Sequence, residues 1–417
     1  MTGRFRHQLA VIRDIGFVAF GKYGQYLVTL VTVPLCARIL GPTGMGLLAV
    51  SMSGYFLGAL ITDMGITTFL AARVDEPELD RLRGAYAAAR LAIAAVFGIA
   101  VLVAGLGSVP RTAEMICIGL FGGAVSAVGD DWVLLGKKRF GAIVLQQGVG
   151  RVAYLLMLLA FLPSHPSPEI AMLCLVSSAL IPVIWSWTRT IRDYGPPARP
   201  RDTPHLLKIG APVLAARLLV NTYEQGAATL FAPALSHQSL GLFTAGDRPV
   251  QAAGSLLDSI GWSLLPRMAA RRDDHQDFWS SSFRTAAVVG VLGTLAAAAA
   301  SGLAPWIVPL LFGDAFRGAI PLLQVEAWAL PGMAVASFLA TAILPVRQDT
   351  FGVVAGASIG AVIAVSALIW TFHSHQPMHV VIGIVAAESS VALFYLLRSR
   401  RLRKLAPQAE LAKAESV

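Results

Sequence analysis

Along almost the whole chain, apolar runs of about twenty residues alternate with short polar segments. A run of 18 or more mostly apolar residues is long enough to cross a bilayer as a helix. The pattern predicts about twelve such spans. They cover 14–36, 46–70, 84–107, 113–135, 140–162 and 169–190. The rest cover 206–231, 242–264, 281–303, 319–343, 351–372 and 380–397. The decapeptide ARILGPTGMG at 37–46 interrupts the first long apolar region. Gly and Pro stop helices and turn chains, so this segment reads as the turn between spans one and two, with Arg38 reaching the interface.

Composition agrees. The 417 residues are 56% hydrophobic and 14% charged, with a mean hydropathy of +0.66, whereas soluble domains carry about 25% charged residues. The net charge is +9 and the isoelectric point about 9.8. With twelve spans, both termini share one side. That side collects 24 of the 33 basic residues, among them Arg81, Arg83, Lys137, Lys138, Arg139, Arg347 and the tail after Arg398. The other side holds three: Arg38, Arg111 and Arg317. The positive-inside rule then predicts a plasma (inner) membrane protein with cytoplasmic termini. The excess charge needs no nucleic acid as partner; it is a topology signal with attraction for anionic membrane lipid.

No small-x-small cleavage site follows the first apolar run, so it reads as a span and not a removable signal. Cys36, Cys117 and Cys174 all fall within spans and read as packing residues. The cluster HSHQPMH at 373–379 lacks an acidic companion and reads as a solvated loop, so no metal or cofactor is expected. The longest loop, 191–205, is a Pro-rich basic linker too short to fold as a domain. No phosphate-binding loop, zinc spacing or plausibly placed Ser-His-Asp set is present. A transporter is expected, not an enzyme, and not an ATP-driven pump.

The linker separates 1–190 from 206–397, six spans each, with a basic tail at 398–417. Halves with an even number of spans keep one orientation, as parallel repeats do. Shifting the chain by about 195 residues lays Lys22 over Arg217, Asp63 over Asp258 and Gly46-Leu47 over Gly241-Leu242. Charge is rare inside spans, so the charged matches carry weight.

Several segments resemble the oligosaccharide-lipid flippases of polysaccharide biosynthesis, a family within the multidrug, oligosaccharidyl-lipid and polysaccharide exporter superfamily. They are ARILGPTGMGLLAV with ITDMG, DWVLLGKKRF at 131–140, LGLFTAGDRP at 240–249, LLPRMA at 265–270 and VPLLFGDAFRGAIPLL at 308–323. Arg248 departs from the apolar or small pattern of many relatives. The resemblance implies an all-α membrane protein of two six-helix bundles, related by a pseudo-two-fold along the membrane normal and facing a central cavity. It implies alternating access and a polyprenyl-pyrophosphate-linked oligosaccharide as substrate. It leaves room for partners such as a glycan polymerase and other assembly proteins. A drug or cation antiporter, a peptidoglycan lipid-precursor flippase and an intramembrane glycan polymerase or ligase are the alternatives.

Read without the family, Lys22, Arg90, Arg151 and Arg217 fall on spans one, three, five and seven. At about 1.5 Å per residue they lie roughly 9–17 Å into the membrane. Each would cost at least about 2.5–3.5 kcal/mol against lipid. They are candidates to bind an anionic headgroup in a wet cavity, which suits arginine's paired donors; snorkelling and internal ion pairs are the other reading. Asp63 and Asp258, near the ends of spans two and eight, either gate by pairing with arginines or cap packing. Glu224, Glu326 and Glu388 lie deeper, and either couple transport to a proton or sodium ion or are hydrogen-bonded structural carboxyls.

Overall fold

The structure is a computed structural model. It describes the backbone of residues 2–199 and 227–414 apart from 72, 76–78, 108 and 272–273, with isolated positions between 208 and 218. Side chains are described from 28 to 404 within those stretches, except 30, 68, 259–260, 262–263, 266–267 and 270.

Every described element is helical. Eight helices among the described residues are long and apolar enough to cross a membrane, and they fall on eight of the twelve expected spans. Of the other four, the side chains of 14–27 and nearly all of 206–226 lie outside the described residues. The helix in 113–135 has 17 residues, and 242–264 lies inside a 34-residue helix carrying Asp247, Arg248 and Asp258.

Two compact units divide the chain, 1–232 and 233–417, with the division beyond the expected 191–205 linker. The first begins with α1 (Thr2–Asp63), whose helical backbone breaks at Gly41, φ 65°. The expected ten-residue turn thus contracts to one residue. Glycine takes the positive φ without penalty. Pro42 restarts the helix, where a missing N–H leaves nothing unsatisfied. Then follow α2 (Thr67–Ala71), α3 (Leu79–Leu106), α4 (Arg111–Ala127), α5 (Asp131–Gly136), α6 (Phe140–Phe161), α7 (Pro168–Tyr194) and α8 (Ala227–Phe231).

The expected span 113–135 is therefore two helices, split at 128–130. The side chains of α7 hold the break: Ser186 Oγ accepts from the Asp130 N–H at 2.9 Å, and Trp187 Nε1 donates to the Val128 carbonyl at 3.0 Å.

The tightest seam in this unit joins α1 to α4. Gly54 and Gly58 of α1 lie against the Ile116–Leu120 backbone of α4, and Gly119 and Gly123 of α4 against the Ser51–Ala59 backbone of α1. A Cβ on Gly123 would lie 1.8 Å from the Tyr55 carbonyl oxygen, and one on Gly119 would lie 2.1 Å from that of Ser51. Small residues four apart on both helices let backbones touch, as membrane helices do when packing replaces the hydrophobic effect.

The second unit holds α9 (His237–Ala270), α10 (His275–Phe312), a 3₁₀ turn (Asp314–Ala319) and α11 (Ile320–Glu326). A second 3₁₀ turn (Ala327–Ala329) leads to α12 (Leu330–Phe338), a π turn (Leu339–Ile343), α13 (Thr350–Ser374) and α14 (Pro377–Ala414). The expected span 319–343 is continuous but changes pitch. Pro331 has no N–H for the Ala327 carbonyl, which tightens the turn before it. Phe278, Trp279, Phe338 and Leu339 are buried at the centre of this unit.

The two units repeat one local device. Lys138 (φ 57°) and Gln348 (φ 56°) both take left-handed backbone, each just before the residue that opens the next helix. Those openers are Arg139 for α6 and Asp349 for α13. Arg139 pairs with Asp193 near the end of α7. Asp349 pairs with Arg398 on α14 at 2.8 and 2.9 Å. The place is the same and the signs are exchanged.

Asp349 also accepts from the Gly352 N–H at 3.1 Å. The Arg398 guanidinium holds its carboxyl below the usual carboxylate range. A lowered carboxyl adds stability above its unfolded value, near 3.8, and loses it as pH falls through the lower folded value. Asp349→Ala should therefore lower stability at pH 7 by about 1–2 kcal/mol. The gap to wild type should shrink as pH drops below that range, as read by melting in detergent across pH.

Candidate functional site

In the first unit α1, α4, α6 and α7 enclose a cavity of about 290 Å³. Tyr55 enters it from the α1–α4 seam and hydrogen-bonds Ser126 of α4. Gly150 lets α6 approach α7: a Cβ there would lie 3.1 Å from the Pro182 ring. Gln146, Gln147 and Arg151 line the cavity from α6, and Ser178 and Ser186 from α7. Asp131 at the start of α5 completes it. One fixed cation, one carboxyl, two amides and several hydroxyls thus share a space inside an otherwise apolar bundle. Gln146 is buried, and its Oε1 meets no donor among the described residues. An amide oxygen in that state is open to a ligand donor or water.

Among the described candidates, Arg151 is the one that lines the cavity. Arg90 is placed outside it. It is 2% exposed, and its Nη1 donates to the carbonyls of Ala127 at 2.6 Å and Gly129 at 2.8 Å. Its guanidinium lies over the Tyr86 ring, 3.9 Å from the centroid. Those carbonyls are left over at the end of α4, where a helix carries partial negative charge, so Arg90 caps it. Its charge also acts on Asp131.

Arg83, counted in the sequence only as a topology charge, is fully buried. Its Nε donates to Asp130 at 3.0 Å, and its Nη1 to the Gly195 carbonyl at 2.9 Å. The chain after Gly195 crosses the start of α3 closely, because Gly84 has no Cβ to meet the Ala198 oxygen.

Asp63 and Arg217 are brought together, 3.8 Å apart. Asp63 also accepts from Thr67 Oγ1 and, at 3.0 Å, from Tyr86 Oη. In the second unit Asp258 accepts from Ser337 Oγ. Glu326 is fully buried, and Glu388 lies half-buried beside Gly332. The side chain of Lys22 and all of Glu224 lie outside the described residues.

Tyr55, Ser126, Asp131 and Gln146 were not foreseen. A signal for one edge of the cavity was present: Gln147 and Arg151 are four apart on a span with no other charge, so they share a helix face. The histidines of 373–379 have local occupations. His379 stacks on Trp370 and bonds Ser374, and His375 bonds the Ala234 carbonyl. No metal-holding cluster occurs among the described residues.

This fold is one that solved membrane transporters also have. The structure resembles one of the lipid II flippase MurJ in an inward closed conformation, with a TM-score of 0.65 and 14% identity over 90% of this chain and 87% of that one. It resembles an outward-facing multidrug resistance MATE family transporter of the MOP superfamily, with 0.55 and 14% over 95% of each. It also resembles a MOP superfamily transporter from Pyrococcus furiosus, with 0.53 and 14% over 94% and 93%. At these identities the likeness is one of fold. Residues 11–271, more than half of the chain, match the family described as polysaccharide biosynthesis protein, and the chain belongs to that family. Among curated proteins none matches the sequence.

Arg90→Ala should leave two buried carbonyls without a donor. A hydrogen bond to a charged group contributes about 1.5–3 kcal/mol, so the variant should melt well below wild type in detergent. Arg90→Lys, which keeps the charge and one donor, should recover part of the loss.

Proposed function

We propose that the protein is a flippase that moves a polyprenyl-pyrophosphate-linked oligosaccharide from the cytoplasmic to the outer leaflet of the plasma membrane. It acts by alternating access, as a secondary transporter and not an enzyme, in the assembly of a cell-surface polysaccharide such as a lipopolysaccharide or exopolysaccharide. Both termini are cytoplasmic, and the flipped lipid passes to a glycan polymerase and other assembly proteins.

The observation that carries this reading is Arg151 in the cavity of the first unit. A guanidinium offers paired donors to pyrophosphate oxygens, and the adjacent amides and hydroxyls suit sugar hydroxyls. The family membership supports an exporter of polysaccharide building blocks. Arg217 adds a second cation; its contact with Asp63 makes it a switchable one, held by the carboxyl when the substrate is absent. Lys22 belongs to the same proposed set. Asp131 in the cavity favours a second reading, a drug or cation antiporter, which would need the carboxyl and not the arginine.

Arg151→Ala should abolish flipping of a fluorescent lipid-linked oligosaccharide in vesicles while the protein stays folded; Lys should rescue better than Gln. Asp131→Asn should be the milder change, and the reverse order would favour the antiporter. The headgroup carries about two negative charges, each worth roughly 2.3 kcal/mol per 100 mV. Arg151→Gln should therefore also alter how the rate responds to an imposed potassium diffusion potential.

Topology is testable separately. In a Cys-free background, Ser164→Cys should react with an impermeant thiol reagent on intact cells. Lys138→Cys should react only after the cells are opened; the opposite pattern would invert the proposed direction.

A further inference from the structure

The second unit buries a carboxyl for which the cavity of the first has no use. Glu326, the last residue of α11, is fully buried. Among the described residues no N–H or O–H donor reaches either of its oxygens. The group it faces is the carboxyl of Asp247 on α9. Close helix packing brings them together: a Cβ on Gly246 would lie 3.1 Å from the Leu323 nitrogen. Gln251 holds Asp247 from the other side, donating from Nε2 to Oδ1 at 3.2 Å.

The elements packed on α11 bring little else that is charged. From α9 come Asp247 and its neighbour Arg248, with Asp258 three turns on. From α14 comes Glu388. The helix α10 carries no charged residue after Arg284, and in the 3₁₀ turn before α11 Asp314 and Arg317 are exposed and paired with each other. The charge that bears on Glu326 is that of Asp247.

A fully buried carboxylate that meets no donor cannot stay ionised beside the half-buried carboxyl of Asp247 without a cation. The cost of one buried charge is already several kcal/mol, and the second adds like-charge repulsion. A proton resolves both, because a neutral carboxyl becomes a donor and its partner the acceptor. A sodium ion would need a shell of oxygen ligands, and no third His, Cys, Asp or Glu joins the pair among the described residues.

We infer that Asp247 and Glu326 form a proton-binding site that holds one proton between two carboxyls, and that its filling and emptying tie transport to the pH gradient. The second clause rests on the flippase reading; the first does not.

The two parts are tested separately. Infrared spectra of the full-length protein in nanodiscs at pH 7, without substrate, should contain a protonated-carboxyl band. The band should be lost in Glu326→Gln and kept in Asp247→Asn, where the fully buried Glu326 stays neutral. Glu326→Asp, a smaller perturbation of folding, should keep the band at a shifted position. A wild-type spectrum without the band, or a band unchanged in Glu326→Gln and Glu326→Asp alike, would overturn the site.

In vesicles flipping the fluorescent lipid-linked oligosaccharide, the wild-type rate should respond to an imposed pH gradient. The limit for one proton per cycle is about tenfold per pH unit. Glu326→Gln and Asp247→Asn should each lose that response. An equal response in both variants, or a response to sodium at fixed pH in its place, would overturn the coupling. Wild-type vesicles that flip no such lipid would count against the flippase reading, while the infrared result would still decide the proton site.

Discussion

The backbone contact between α1 and α4 is the constraint on which the first unit depends. Lipid offers helices no hydrophobic gain on association, so they hold together by packing and by internal hydrogen bonds. Four glycines bring two backbones into touch. That approach carries Tyr55 and Ser126 to the wall of the cavity, and it places the end of α4 where Arg90 can cap it. The cavity is thus the space left when α6 and α7 cannot close on a seam that is already as tight as its glycines allow.

Charge follows the same economy. A buried ion without a partner is among the most destabilising features a membrane bundle can carry. Arg83 is met by Asp130, Asp80 and a carbonyl, and Arg90 by two carbonyls and a ring. These groups hold the ends of α3, α4 and α7 in one cluster. Arg151 stands apart from them because it faces a space large enough for water or a ligand. Depth in the membrane is shared by structural and ligand-binding cations; what separates them is whether the protein itself has supplied the acceptors.

That distinction explains what could be read from the sequence. Span length and hydropathy alone located Phe140–Phe161, Pro168–Tyr194 and Thr350–Ser374 to within a few residues. The motifs named the family, because order and spacing along a chain survive when identity does not. The pitch changes around Pro331 and the break at 128–130 were not legible. A propensity for helix does not say where a side chain such as Ser186 or Trp187 from another helix will intercept the backbone. Arg90 and Arg151 look alike in sequence, each a lone arginine inside an apolar run, six and eleven residues from its start. Only tertiary packing assigns one to carbonyls and the other to a cavity, and only packing reveals that Glu326 faces Asp247.

The exchanged ion pairs at the starts of α6 and α13 have an unequal consequence. A carboxylate at a helix start is attracted by the partial positive charge there, and a guanidinium is repelled by it. Asp349 gains from its position, accepts from the Gly352 N–H and is nearly buried. Arg139 gains nothing from the helix, caps no N–H and is 40% exposed with a partner that water also reaches. Water and salt weaken such a pair. One clasp is therefore stiff and the other soft, although they occupy matching places. The start of α6 can therefore shift at a smaller cost than the start of α13.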